Sequence, residues 1–77
     1  MRLFIQKVEE KRAGKSVRRF CQEVGISHSL WSRIVRGERE PSTHVILAML
    51  ARWPELAYWL AEDAKTAQLA QQEGLLQ

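Results

Sequence analysis

Arginine, serine and histidine side chains stand among apolar ones at helical spacing through Val17–Gly37, VRRFCQEVGISHSLWSRIVRG. Phe20, Cys21 and Val24 fall on one face of a helix, and so do Leu30, Trp31, Ile34 and Val35. Gly25 separates the two segments and lets the backbone turn through positive φ. Cys21 is small enough for the second helix to cross the first closely. Two short amphipathic helices joined in this way are the physical content of a helix-turn-helix, whose second helix enters the major groove of DNA. The chemistry on offer is therefore hydrogen bonding: the polar residues left over on the second helix are candidate readers of base edges.

Such a pair of helices has to be held by others. A first helix is expected from about Arg2 to Ala13, with Leu3, Phe4 and Val8 facing inward and Gly14 closing it in a left-handed conformation. Ser16 caps the second helix over Val17–Val24, and Ser27 caps the third, which runs to about Arg36 before Gly37 stops it. The polar loop GEREP ends at Pro41. Ser42 then caps a fourth helix over about Thr43–Arg52, apolar at Val45, Ile46, Met49 and Leu50. Trp53-Pro54 breaks that helix, and Pro54 suits the first turn of a fifth, ELAYWLAE. From Asp63 the pattern weakens. The reading is one domain over residues 1–77, with 62–77 a helical extension or a frayed tail.

Composition narrows the classes of function. The 77 residues suffice for one small core, and an abundance of helix formers with few prolines and glycines predicts an all-α fold. A single cysteine excludes an internal disulfide and gives no metal cluster, as in a reducing cytoplasm. The opening MRLFIQKVEEKR is too short and too charged for a signal peptide or a spanning helix, so a cytoplasmic protein without membrane contact is expected. No paired carboxylates, no His/Cys cluster and no glycine-rich phosphate loop stand at usable spacing, so neither an enzyme nor a cofactor is expected. Charge is asymmetric. Residues 1–39 hold ten Lys/Arg against four Glu, whereas residues 40–77 hold two against five acids. Basic charge gathered around the helix-turn-helix is the footprint of a phosphate-contacting surface; a solvated basic face is the plainer alternative.

Over about residues 3–61 the chain resembles the lambda-repressor and Cro-like helix-turn-helix proteins, the Xre family. The residues that carry the resemblance are Phe20-Cys21-Gln22-Glu23-Val24-Gly25-Ile26-Ser27, Trp31-Ser32-Arg33-Ile34 with Arg36-Gly37, Pro41-Ser42 and Trp59-Leu60. The resemblance implies a compact domain of about four to five helices with the helix-turn-helix at about 16–36. It also implies a dimeric DNA-binding regulator of phage or bacterial origin. Three positions depart from the family pattern. Val17 replaces a frequent glutamine and Cys21 a frequent alanine. Val35 replaces a glutamate that pairs with a first-helix arginine, so apolar contact is expected there instead.

Carried over by position, the base-edge candidates are Ser27, His28, Ser29 and Arg33. Arg33 can donate two hydrogen bonds to guanine O6 and N7, or else hold a phosphate or remain a surface charge. His28 can donate to a purine N7 or a phosphate, and a lone exposed histidine is otherwise simply solvated. Ser27 and Ser29 are short enough to cap or to touch phosphate. Leu30 either completes the core or packs on a thymine methyl. Phosphate positioning falls to Lys15, Ser16, Arg18, Arg36, Arg39 and Thr43, with backbone N–H groups at helix starts. The three tryptophans read as core rather than as a stacking platform.

A single helix-turn-helix seldom binds tightly, and a two-fold dimer spanning two half-sites solves this. Leu56, Tyr58, Trp59 and Leu60 offer apolar surface for that contact; alternatively, the fifth helix only closes the core of a monomer. Two functions follow. The first is a sequence-specific regulator, a small homodimeric repressor on a palindromic double-stranded operator. The second is an antitoxin or antirepressor that uses the same fold to hold a protein partner such as a toxin.

Overall fold

A computed structural model describes the backbone of residues 1–76 and the side chains of residues 1–69. It consists of five helices: α1 Arg2–Arg12, α2 Val17–Val24, α3 His28–Val35, α4 Thr43–Arg52 and α5 Leu56–Leu76. No strand occurs among the described residues, so the all-α, lambda-repressor-like architecture is as the patterning and the resemblance predict.

Local chemistry sets most of the boundaries. The Ser16 Oγ accepts from the Arg19 N–H at 3.1 Å, Ser27 Oγ from Leu30 at 3.4 Å, and Ser42 Oγ from Val45 at 3.4 Å. Each cap satisfies a backbone donor that the first helical turn leaves unpaired. Gly25 ends α2 at φ 87°, and the N–H groups of Gly25 and Ile26 both donate to the Cys21 carbonyl. That left-handed residue turns the chain sharply enough for α3 to follow at once.

The end of α1 departs from expectation. Gly14 is not left-handed; the positive φ belongs to Ala13, at φ 54° and ψ −127°. The Lys15 N–H donates to the Arg12 carbonyl at 3.1 Å, which closes a four-residue turn with Ala13 at its second position. That position calls for positive φ one residue before the glycine. After the Trp53-Pro54 break, one tight turn precedes α5, with Leu56 donating to the Trp53 carbonyl and Ala57 to that of Pro54. The proline thus stands just ahead of α5.

Phe4, Val8, Phe20, Cys21, Trp31, Ile34, Val45, Met49 and Leu56 form one continuous buried core, drawn from all five helices. Phe20 lies at its aromatic centre. Its ring stacks on Trp53 at 5.8 Å and leans on Trp31 at 6.4 Å. Trp31 is wholly buried, whereas Trp53 and Trp59 are half-buried, with Arg52 over the first ring and Lys7 over the second. α1 packs on α5, α2 on α3 and α4, and α4 on α5. Beyond Asp63 the α5 side chains from Ala64 to Leu69 are all exposed.

Candidate nucleic-acid interface

α3 presents a divided surface. At about 100° per residue, His28, Ser29, Ser32 and Arg33 share one arc, and Leu30, Trp31 and Ile34 share the opposite one. Burial follows this division: Trp31 and Ile34 are enclosed and Leu30 is half-buried, while Ser27, His28, Ser29 and Arg33 are exposed. Val35 falls at the edge beside His28 rather than among the core residues. It is 44% exposed, so it stands at the rim of the core and is not buried in place of the family's ion pair. The core on α3 ends at Ile34.

The four base-edge candidates thus lie together on or beside the free surface of one helix. Ser27 differs from the other three, because its hydroxyl is already engaged as the cap of α3. Ser32 lies on the same arc, half-buried between His28 and Arg33. Sequence matching did not single it out, although its helical spacing from Ser29 and His28 placed it there.

The basic residues separate into held and free. Lys15 Nζ meets Glu23 Oε2 at 2.7 Å, and Arg19 reaches the other oxygen at 3.5 Å. Hydrogen bonding from Lys15 holds the Glu23 carboxyl below its ordinary pKa against the opposing effect of burial, with the charges of Lys15 and Arg19 assisting. Arg36 is paired with Glu38 at 2.9 Å. Among the described residues, Arg18, Arg33 and Arg39 meet no carboxylate, and all three are exposed. Ser16 and Thr43 are exposed at the starts of α2 and α4, with the Ser16 oxygen spent on its cap.

Sequence reasoning missed a polar belt behind this surface. The Trp31 indole N–H donates to Glu9 Oε1 at 2.8 Å, and Arg12 Nε donates to Glu9 Oε2 at 2.7 Å. Arg12 Nη1 donates in turn to the Lys15 carbonyl at 2.8 Å. Arg52 Nη1 donates to the Glu23 carbonyl at 3.0 Å, on the last turn of α2. The Glu9–Arg12 and Arg12–Lys15 links are local, three residues apart; the Trp31–Glu9 and Arg52–Glu23 links join distant segments. Cys21, beneath this belt, has its thiol pKa raised by burial first and by the Glu9 charge second, against Arg12.

The candidates for subunit contact divide as well. Leu56 is 1% exposed and its side chain is used up by the core of its own chain. Trp59 and Leu60 are half-buried, and Tyr58 is 61% exposed, its ring edge-on to Trp59 at 4.9 Å. Among the described residues no group of three metal-ligating side chains occurs, and no helix is long and apolar enough to cross a membrane.

A family model described as a helix-turn-helix domain matches residues 10–52, more than half of the chain, from the end of α1 through α4. No curated protein and no solved structure matches.

Proposed function

The chain belongs to the helix-turn-helix domain family, and we propose that it is a small repressor of the Cro-like, Xre type that reads double-stranded DNA by sequence. The observation that carries this reading is Arg33, exposed and without a carboxylate partner among the described residues, on the face of α3 opposite Trp31 and Ile34. A guanidinium held on a short rigid helix can meet guanine O6 and N7 together. His28 and Ser29 flank it as further base contacts, and Ser27 contributes chiefly through its cap.

Arg18 and Arg39, free of internal partners, are the principal phosphate contacts, assisted by Ser16 and Thr43 at helix starts. Lys15 and Arg36 join them by exchanging a glutamate for a phosphate. We assign binding and not catalysis to residues 1–77, acting as one domain in the cytoplasm. Two copies would meet through Tyr58, Trp59 and Leu60 on α5 and so address a palindromic operator. The exposure of Tyr58 supports that assignment.

Selection of bound sequences from a random duplex library tests the proposal. The expected product is a palindrome with half-site centres about 10 base pairs or a multiple apart. Fluorescence anisotropy should then show that Arg33→Ala relaxes the preference by about 1–3 kcal/mol at one base pair. A library that enriches no sequence overturns the proposal.

A further inference from the structure

We propose that Glu9 is a positioning residue for DNA recognition: its carboxylate, shared between Trp31 and Arg12, sets the base-reading residues of α3 against the phosphate-gripping residues of the α1–α2 turn. The inference rests on the DNA-binding reading above and names the side chain that gives it its accuracy.

Glu9 commits both of its oxygens. One accepts the Trp31 indole N–H at 2.8 Å and the other accepts Arg12 Nε at 2.7 Å. Among the described residues, the indole bond is the only hydrogen bond that joins α3 to another helix. Trp31 stands between His28 and Arg33 in the chain, and its ring is wholly buried. Apolar packing alone tolerates small slides of one helix on another. A hydrogen bond to a carboxylate is short and directional, so it fixes the roll of Trp31 and with it the aim of Arg33.

The second oxygen extends that constraint. Arg12 holds the Lys15 carbonyl at 2.8 Å, and Lys15 immediately precedes Ser16, the cap of α2, with Arg18 in its first turn. One carboxylate thus connects both contact sets, from the side of the molecule behind them. The Glu9 and Arg12 side chains are 23% and 28% exposed, so solvent screens this link less than a fully exposed pair. Glu9 is also an acid within the basic half of the chain. Its removal makes that half more positive and should strengthen indiscriminate binding to any duplex.

The test titrates the wild-type chain, Glu9→Ala, Trp31→Phe, their double variant, Glu9→Gln and Arg33→Ala against a library-selected duplex and its scrambled counterpart. Circular dichroism confirms folding, and Trp31→Phe keeps an aromatic ring in the core while deleting the N–H donor together with part of the indole's volume. The affinity ratio of selected to scrambled duplex is expected to fall about tenfold in Glu9→Ala and in Trp31→Phe, and no further in the double variant. Glu9→Ala is expected to bind the scrambled duplex at least as well as wild type. Glu9→Gln keeps an acceptor for the indole and should retain the ratio within about threefold.

If the ratio is unchanged in Trp31→Phe while Arg33→Ala lowers it, the inference is overturned and the DNA-reading proposal stands. An equal fall in Glu9→Gln and Glu9→Ala, with Trp31→Phe intact, makes Glu9 a charge effect and also overturns it. Equal wild-type affinity for both duplexes removes the DNA-reading proposal and the inference together.

Discussion

The Asp63 carboxylate caps α1 from 59 residues away, accepting the Phe4 N–H at 2.8 Å with Oδ2. Its Oδ1 accepts the Leu3 N–H at 3.0 Å, so one side chain satisfies two of the donors that the start of a helix leaves unpaired. Met1, the residue at the local cap position, supplies no side-chain hydrogen bond. A negative charge at this terminus also complements the helix dipole. The contact pins α5 to α1 at the point where the remaining α5 side chains become exposed.

Asp63→Ala is therefore expected to cost about 2 kcal/mol, the sum of a lost cap and two charge-assisted hydrogen bonds measured against solvation. In a domain of this size that lowers the thermal midpoint by about 10 °C, readable by circular dichroism. Asp63→Asn keeps one acceptor and should lose roughly half as much. A midpoint unmoved by the alanine change would show that solvent caps α1 equally well.

Much of this architecture was legible because it depends on near neighbours. Ser16, Ser27 and Ser42 each cap the helix that begins at the next residue, and Gly25 makes its turn where the apolar pattern changes phase. The exposed arc of α3 follows from the same periodicity, which placed Trp31 and Ile34 inside. What escaped notice depends on contacts between distant segments. Nothing near Asp63 or Glu9 indicates that their carboxylates meet Phe4 and Trp31. Val35 was misjudged because helical phase places it at the border of the apolar face, where only the neighbouring helices decide burial. Leu56 looks like surface in sequence, yet it is buried in the common core. At the end of α1, the presence of Gly14 drew the positive φ one residue too far along.

Ala13 lies at φ 54° and ψ −127°, a region where a Cβ crowds the adjoining backbone. Glycine relieves that strain of about 1–3 kcal/mol and forfeits roughly 0.5–1 kcal/mol of chain entropy. Ala13→Gly is accordingly expected to raise stability by about 1 kcal/mol, measured by urea unfolding with an unchanged slope. A loss of stability would mean that the turn adopts another conformation in solution.

Two glutamates give the fold a pH dependence. Hydrogen bonding from Lys15 first, and from Lys11 in the second case, holds the Glu23 and Glu55 carboxyls below their ordinary pKa. Each carboxyl loses its proton more readily when folded, so the folded chain binds fewer protons than the unfolded one. Their contribution is complete above the ordinary carboxylate range and is lost as pH falls through the lower folded values. Both groups are exposed, so the effect is small and weakens with salt. Stability of the Glu23→Gln/Glu55→Gln variant should fall less steeply with acid than that of wild type. Identical acid profiles would remove these pairs from the account.

Arg18 and Arg19 are neighbours in sequence and opposites in circumstance. They point about 100° apart around α2. Arg19 reaches Glu23 at 3.5 Å, whereas Arg18 meets no carboxylate among the described residues. If the free guanidinium grips a phosphate, Arg18→Ala removes one ionic contact. The slope of log affinity against log salt should then become shallower by about 0.9 on every duplex, without a change in sequence preference. Arg19→Ala should leave the slope within error, because its charge is turned toward Glu23. Equal slopes in the two variants would place the phosphate backbone elsewhere on the surface. A larger change for Arg19 would mean that the Glu23 pair opens and that α2 meets the duplex by its other side.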